Sequence, residues 1–183
     1  MHQNRQNLVG LIVGNRGTGK STFIKKIIDK HPKKVLVYDT DDNPIYQDYP
    51  NISPKLLPRW KANTKRIIDT DYEVVFQNLD EVNNALIVFE DATKYTGNAT
   101  PQLLKKLILA SKQRNLDLLF TFHSFRRILP DFYTFSNYLE IFKTGEDIKQ
   151  FKAKIPNFEK VQEVHNEVES HTNRFFHKTV RLI

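Results

Sequence analysis

The sequence predicts an α/β layered protein on a mostly parallel central sheet, and three observations lead there. Short, nearly unbroken apolar runs recur along the chain, longer amphipathic stretches separate them, and the first run leads into a glycine-rich turn followed by helix-forming residues. Unbroken apolar runs of that size suit strands buried on both faces, which is what helices packed against each side of a parallel sheet produce.

Taken in order, strands are expected at Leu8 to Val13, Val35 to Tyr38, Tyr72 to Phe76, Ala85 to Phe89, Leu116 to Phe122 and Tyr138 to Phe142, with a last edge strand at Asn173 to Ile183. Helices are expected at Lys20 to Lys30, Pro101 to Arg114 and Phe158 to Ser170. The second of these has Thr100 as N-cap, Pro101 at its first position and a stripe of Leu103, Leu104, Leu107, Ile108 and Ser111. Asn115 then takes the left-handed conformation that closes the helix before the next strand. The segment 41–70 holds Pro44, Pro50, Pro54 and Pro58 among polar residues and reads as a long connection or insertion.

With 183 residues, the chain is expected to form one domain, 1–183, in which 146–183 supplies a C-terminal helix and the edge strand. Lys plus Arg exceed Asp plus Glu by 28 to 21, a net +7 that points toward a polyanionic partner. The absence of cysteine excludes disulfide frameworks, cysteine-based zinc sites and thiol nucleophiles. Met1 to Asn7 is polar and the apolar runs are strand-sized, so neither a secretory signal nor stable membrane insertion is expected, and a cytoplasmic location follows.

The most specific signal is Gly14-Asn15-Arg16-Gly17-Thr18-Gly19-Lys20-Ser21, which satisfies G-x-x-x-x-G-K-[ST] between an apolar strand and a helix. Glycines let the backbone curl until its N–H groups face a phosphate chain, and the helix N-terminus adds partial positive charge. Gly14 to Ser21 and Thr22 are therefore expected to bind ATP, with Lys20 reaching the β and γ phosphates and Ser21 offering its hydroxyl to Mg²⁺. ATP is favoured over GTP because no Asn-Lys-x-Asp guanine signature occurs.

Binding alone is not hydrolysis. Ala85-Leu86-Ile87-Val88-Phe89-Glu90-Asp91 supplies an apolar strand ending in two acids, with Glu90 assigned to the metal and Asp91 to the attacking water, the reverse of the usual Asp-then-Glu order. The strand Leu116 to Phe122 ends in His123 and Ser124; His123 is the candidate γ-phosphate sensor, against the plainer reading of a hydrogen-bonded surface histidine. Arg114, Arg126 and Arg127 flank this strand, each a candidate for the arginine one subunit inserts toward its neighbour's phosphate, and each equally a solvated helix-end charge.

Carried by Gly14 to Ser21, Leu86 to Asp91 and Ala110 to Ser124, the chain resembles the FtsK/HerA superfamily of P-loop ATPases, in particular small viral genome-packaging ATPases and zonula occludens toxin-like phage assembly proteins. The family's usual Thr-Gln strand tip is Phe122-His123 here. The resemblance implies a three-layer, RecA-like P-loop NTPase fold of the additional-strand class. It further implies a homo-oligomeric ring of five or six subunits that hydrolyses ATP between subunits and moves DNA, double-stranded in such motors, with a capsid or portal-type protein as a further partner. Lys94, Tyr95 and Asn98, just after the acidic strand tip, lie where such proteins point residues into the pore, and a cation beside an aromatic suits nucleic-acid contact.

Two other readings compete. In a small-molecule or nucleotide kinase, Asp39-Thr40-Asp41-Asp42 after the second strand would bind the acceptor, although no Arg-rich lid is evident. In a nucleotide-dependent binding module, Lys149, Lys152, Lys154 and Lys160 would contact a protein or membrane surface.

Overall fold

A computed structural model describes residues 7–182. Seven strands form one sheet: β1 (Val9–Val13), β2 (Lys34–Tyr38), β3 (Thr64–Ile67), β4 (Ala85–Phe89), β5 (Leu116–Phe122), β6 (Tyr138–Ile141) and β7 (Lys178–Arg181), in the order β3-β2-β4-β5-β1-β6-β7. The first six are parallel and β7 is antiparallel to β6. β5 separates β1 from β4, so the glycine-rich turn and the two acids leave the same edge of the sheet two strands apart, the additional-strand arrangement that was expected.

Alternation along each strand explains both cores. Ile12, Val35, Val37, Leu86, Val88 and Leu119 face α1 (Lys20–Lys30), meeting its Ile24 and Ile28. Their neighbours Leu11, Val13, Leu36, Ile87, Phe89, Leu118 and Phe120 face the opposite side. That side is covered by α2 (Tyr72–Leu79), α3 (Gln102–Ala110), α4 (Pro130–Phe135) and α5 (Phe158–Ser170). Side chains of a strand point to opposite faces with a period of two, so helices on both faces require the continuous apolar runs the sequence displays.

The structure corrects several expectations. Tyr72 to Phe76 is not a strand: Asp71 caps a helix by accepting from the Val74 amide at 3.2 Å, and Val75, Phe76 and Leu79 form a buried stripe at helical spacing. The edge position is taken by β3, which lies inside the proline-rich segment and whose Thr-Lys-Arg-Ile reads as polar. That segment otherwise carries two 3₁₀ turns, Pro44–Tyr46 and Pro54–Arg59. The third helix begins at Gln102 with Pro101 as its cap residue, while the Thr100 hydroxyl is buried without a hydrogen-bond partner and caps nothing. Asn115 does adopt the left-handed conformation, at φ 52°. The C-terminal strand is shorter than expected, and its expected last residue, Ile183, lies outside the described residues, as does most of the polar stretch Met1 to Asn7. No described helix is long and apolar enough to cross a membrane.

Candidate nucleotide-binding site

Strands that run parallel deliver their C-terminal ends to one edge, and the crevice there is where ligands gather in open α/β sheets. Val13, Tyr38, Phe89 and Phe122 each end a strand at this edge, so Gly14, Asp39, Glu90 and His123 follow at neighbouring positions. Between them lies a cavity of about 310 Å³ lined by Arg16, Gly17, Gly19, Lys20, Ser21, Thr22, Asp39, Asp41, Asn43, Glu90, Asp91 and His123.

The glycine-rich turn is braced from both flanks. The Gly14 amide donates to Phe122 O at 3.1 Å, the Asn15 amide to Lys143 O at 2.8 Å, and Asn15 Nδ2 to Thr144 O at 2.7 Å. Thr18 Oγ1 donates to Asn15 O at 2.8 Å. Gly19, at φ 95°, turns the chain into α1 in a conformation that side chains strain to adopt, which leaves the first helical amides without a side-chain cap. Gly14, Asn15 and Thr18 thus build the turn, while the other expected residues of the motif line the cavity.

Lys20 is buried and has no carboxylate partner among the described residues; its Nζ donates to Gly14 O at 2.6 Å and Asn15 O at 2.9 Å and lies 3.3 Å from His123 Nδ1. Burial lowers its pKa to about 8, with Arg16 acting in the same sense and Glu90 and Asp91 opposing. Burial likewise pulls His123 below the ordinary imidazole range, the Lys20 charge adding to it, so the ring is held neutral. Its Nε2 stands 3.6 Å from Asp91 Oδ2.

Glu90 is clasped on both oxygens. Oε1 accepts a short hydrogen bond from the Tyr46 hydroxyl, and Oε2 accepts from Thr121 Oγ1 at 2.8 Å. Burial outweighs both bonds and raises its pKa. Asp91 sits at φ 44°, its amide donating to Thr121 Oγ1 at 2.8 Å and its Oδ1 accepting from Thr93 Oγ1 at 2.5 Å. Its other oxygen is the one turned to His123. Ser21 Oγ accepts from Asn43 Nδ2 at 3.3 Å, and Asp39, fully buried, accepts from the Asn43 and Asp41 amides at 2.7 and 3.2 Å. Tyr46, Asn43 and Thr121 were missed in the sequence: the first two come from the proline-rich segment, and only the 3₁₀ turn at Pro44–Tyr46 folds them over the acids.

Two expected residues, Tyr95 and Arg114, are not where their roles require. Tyr95 is buried, stacked on Tyr38 at 5.5 Å and packed edge-on to Phe76, so it belongs to the core rather than to an exposed pore loop. Lys94 and Asn98 remain exposed, Lys94 paired with Asp41. Arg114 precedes β5 and so lies at the opposite end of the sheet, donating to Leu79 O and Val82 O and facing Asp80 at 3.5 Å. It is a structural clamp between α2 and α3. Arg126 and Arg127 follow β5 on the cavity side and are exposed.

The architecture has close counterparts among solved structures. The genome packaging NTPase B204 from Sulfolobus turreted icosahedral virus 2, in complex with ATP-gammaS, superposes with a TM-score of 0.76 at 14% identity, covering 98% of this chain and 94% of that one. The fold is that of a P-loop NTPase. B204 from Sulfolobus turreted icosahedral virus, a DNA-packaging ATPase, gives a TM-score of 0.71 at 12% identity over 98% of this chain and 99% of that one. A looser similarity, TM-score 0.46, links the P-loop chain to the N-terminal domain of zonular occludens toxin from Neisseria meningitidis. Neither protein-family models nor curated proteins match the sequence.

Proposed function

We propose that the protein is a Mg²⁺-dependent ATP hydrolase that works as the motor subunit of a DNA-packaging ring. The observation that carries the hydrolase reading is the cavity itself, where a buried lysine with no carboxylate partner, a helix-start serine and two acids from a nearby strand converge at the tip of the phosphate turn. Similarity in fold to B204, a genome packaging NTPase, supports the packaging role.

The residues present suit Mg²⁺. Ser21, Asp39, Glu90 and Asp91 offer only oxygen, the donor type this ion takes. When bound, Mg²⁺ supplies neutralisation of phosphate charge, with Ser21 and Glu90 as the holding residues. Lys20 exchanges its backbone carbonyls for phosphate oxygens, and Gly17 and Gly19 allow the backbone to approach them. Asp91 orients water and takes its proton as the oxygen attacks the γ phosphorus and the bond to the β-phosphate oxygen breaks, releasing ADP and phosphate. Neutral His123, between Lys20 and Asp91, senses the γ phosphate. Thr121 ties the two acids together by donating to Glu90 and accepting from the Asp91 amide.

Arg126 and Arg127, exposed on the cavity side, serve the neighbouring subunit's phosphate, and Lys94 and Asn98 contact DNA. ATP turnover per subunit is expected to rise with protein concentration and with double-stranded DNA, and Asp91→Asn to abolish turnover while ATP still binds. Turnover that ignores both concentration and DNA favours a nucleotide-dependent binding module, and phosphate transfer to a metabolite establishes a kinase. DNA affinity that falls steeply with salt, less steeply in Lys94→Ala, checks the nucleic-acid contact.

A further inference from the structure

A second cavity, of about 350 Å³, opens on the other flank of the α1 N-terminus and shares Gly19 and Thr22 with the first. Its remaining walls are Phe23, Lys26, Phe142, Phe175 and His177. Phe175 is 59% exposed, one of three exposed large apolar side chains among the described residues, and its ring is the nearest group to Gly19, 3.3 Å from the position a Cβ there would take. The adjoining Arg174 guanidinium occupies the space a Cβ on Gly17 would fill. The segment just before β7 therefore lies along the phosphate turn, a cation over one glycine and an aromatic ring over the next.

The opposite wall is fixed in advance. Glu140, buried on β6, accepts from Thr179 Oγ1 and is joined to His177 Nδ1 at 2.5 Å, which pins the imidazole flat on Phe142 with 4.5 Å between ring centres and 22° between planes. Phe23 closes that wall edge-on to His177 at 4.8 Å. An exposed phenyl and a preset aromatic wall lining one cavity make a slot for a flat aromatic ligand, and the slot adjoins the phosphate cavity, with which it shares Gly19 and Thr22.

We infer that this slot receives the base of the nucleotide whose phosphates occupy the first cavity, with Phe175 stacking on it and Arg174 contacting the phosphate chain. The inference rests on the proposed nucleotide-binding reading and adds that the C-terminal segment, not the P-loop, selects a nucleotide over bare polyphosphate. Stacking is indifferent to which base is present, so ATP and GTP are expected to gain comparably from Phe175.

Calorimetry with the full-length chain tests this by measuring ATP and inorganic tripolyphosphate side by side in Mg²⁺. Phe175→Ala is expected to weaken ATP by about tenfold or more while leaving tripolyphosphate within about twofold. In Phe175→Trp, whose fold is checked by its melting temperature, ATP is expected to quench the new indole and tripolyphosphate to leave it unchanged. Equal loss for both ligands in Phe175→Ala, or unchanged ATP affinity, overturns the slot. Failure of wild-type protein to bind either ligand overturns the nucleotide reading beneath it, and the slot with it.

Discussion

At the lower end of the sheet, where β1, β2 and β5 begin, Asp117 accepts from the Leu8 amide at 2.9 Å and from Lys33 at 2.7 Å, with His31 Nε2 at 3.3 Å, and Arg114 is absorbed by the carbonyls of Leu79 and Val82. At the upper end, Lys20 has backbone carbonyls and a neutral histidine for company, and Glu90 has two hydroxyls. The lower end also holds the larger cavity, about 770 Å³ against 310 Å³. Size therefore misdirects. Below, Asp117 is answered by Lys33 and Arg114 by the Leu79 and Val82 carbonyls; above, positive and negative groups are held near each other without neutralising one another, which is the arrangement a charged substrate completes.

The largest effect that sharpens this contrast belongs to Lys20. Lys20→Ala is expected to lower ATP turnover by about a hundredfold or more, since it removes a preorganised cation from the transferred phosphate, while thermal stability holds or rises because a buried charge with no carboxylate partner is gone, offsetting the loss of its bonds to the Gly14 and Asn15 carbonyls. Arg114→Ala should do the reverse. It leaves the Leu79 and Val82 carbonyls partly buried without their donor and costs about 1–3 kcal/mol in urea unfolding, with ATP affinity unchanged. A turnover defect in Arg114→Ala that tracks with no loss of stability restores that residue as a catalytic candidate and breaks the division between the two ends.

Local pattern carried much of this in the sequence. α1 and α5 were legible to the residue because their apolar stripes repeat at helical spacing, and the P-loop was legible because its chemistry is contiguous. What failed was non-local. Tyr72 to Phe76 is apolar enough to pass for a strand, and only the Asp71 cap and Leu79 one turn on identify a helix. β3 is polar because an edge strand with Arg66 turned to Asp42 at 2.8 Å needs no apolar run. The Tyr46 clasp on Glu90 joins residues 44 positions apart, and nothing in either neighbourhood announces the other. Tyr95 went into the core because the turn after Asp91 is a tight 3₁₀ coil that carries the ring back over Tyr38 and Phe89.

The two ends should also respond to pH with opposite sign, and this is the smallest effect of the set. Burial draws Asp117 upward, but hydrogen bonds from His31, Lys33 and the Leu8 amide prevail and hold it below the ordinary carboxylate range. A depressed folded pKa adds stability above the unfolded value and loses it as pH falls through the folded one, so Asp117→Asn is expected to flatten the acid limb of the stability curve. Glu90 is raised by burial despite its two hydroxyl donors, so the folded state binds the extra proton and stability falls as pH climbs from the unfolded value through the raised one. Glu90→Gln, which mimics the protonated acid, is expected to stabilise the nucleotide-free protein on the order of 1 kcal/mol above that window and to change nothing below it. Urea unfolding across the acid to neutral range checks both variants. Changes of the same sign in the pH slope, each variant measured against wild-type protein, would mean that the clasp from Tyr46 and Thr121 stabilises the Glu90 charge as fully as the cations stabilise Asp117, and that the upper end is not held in reserve for a ligand.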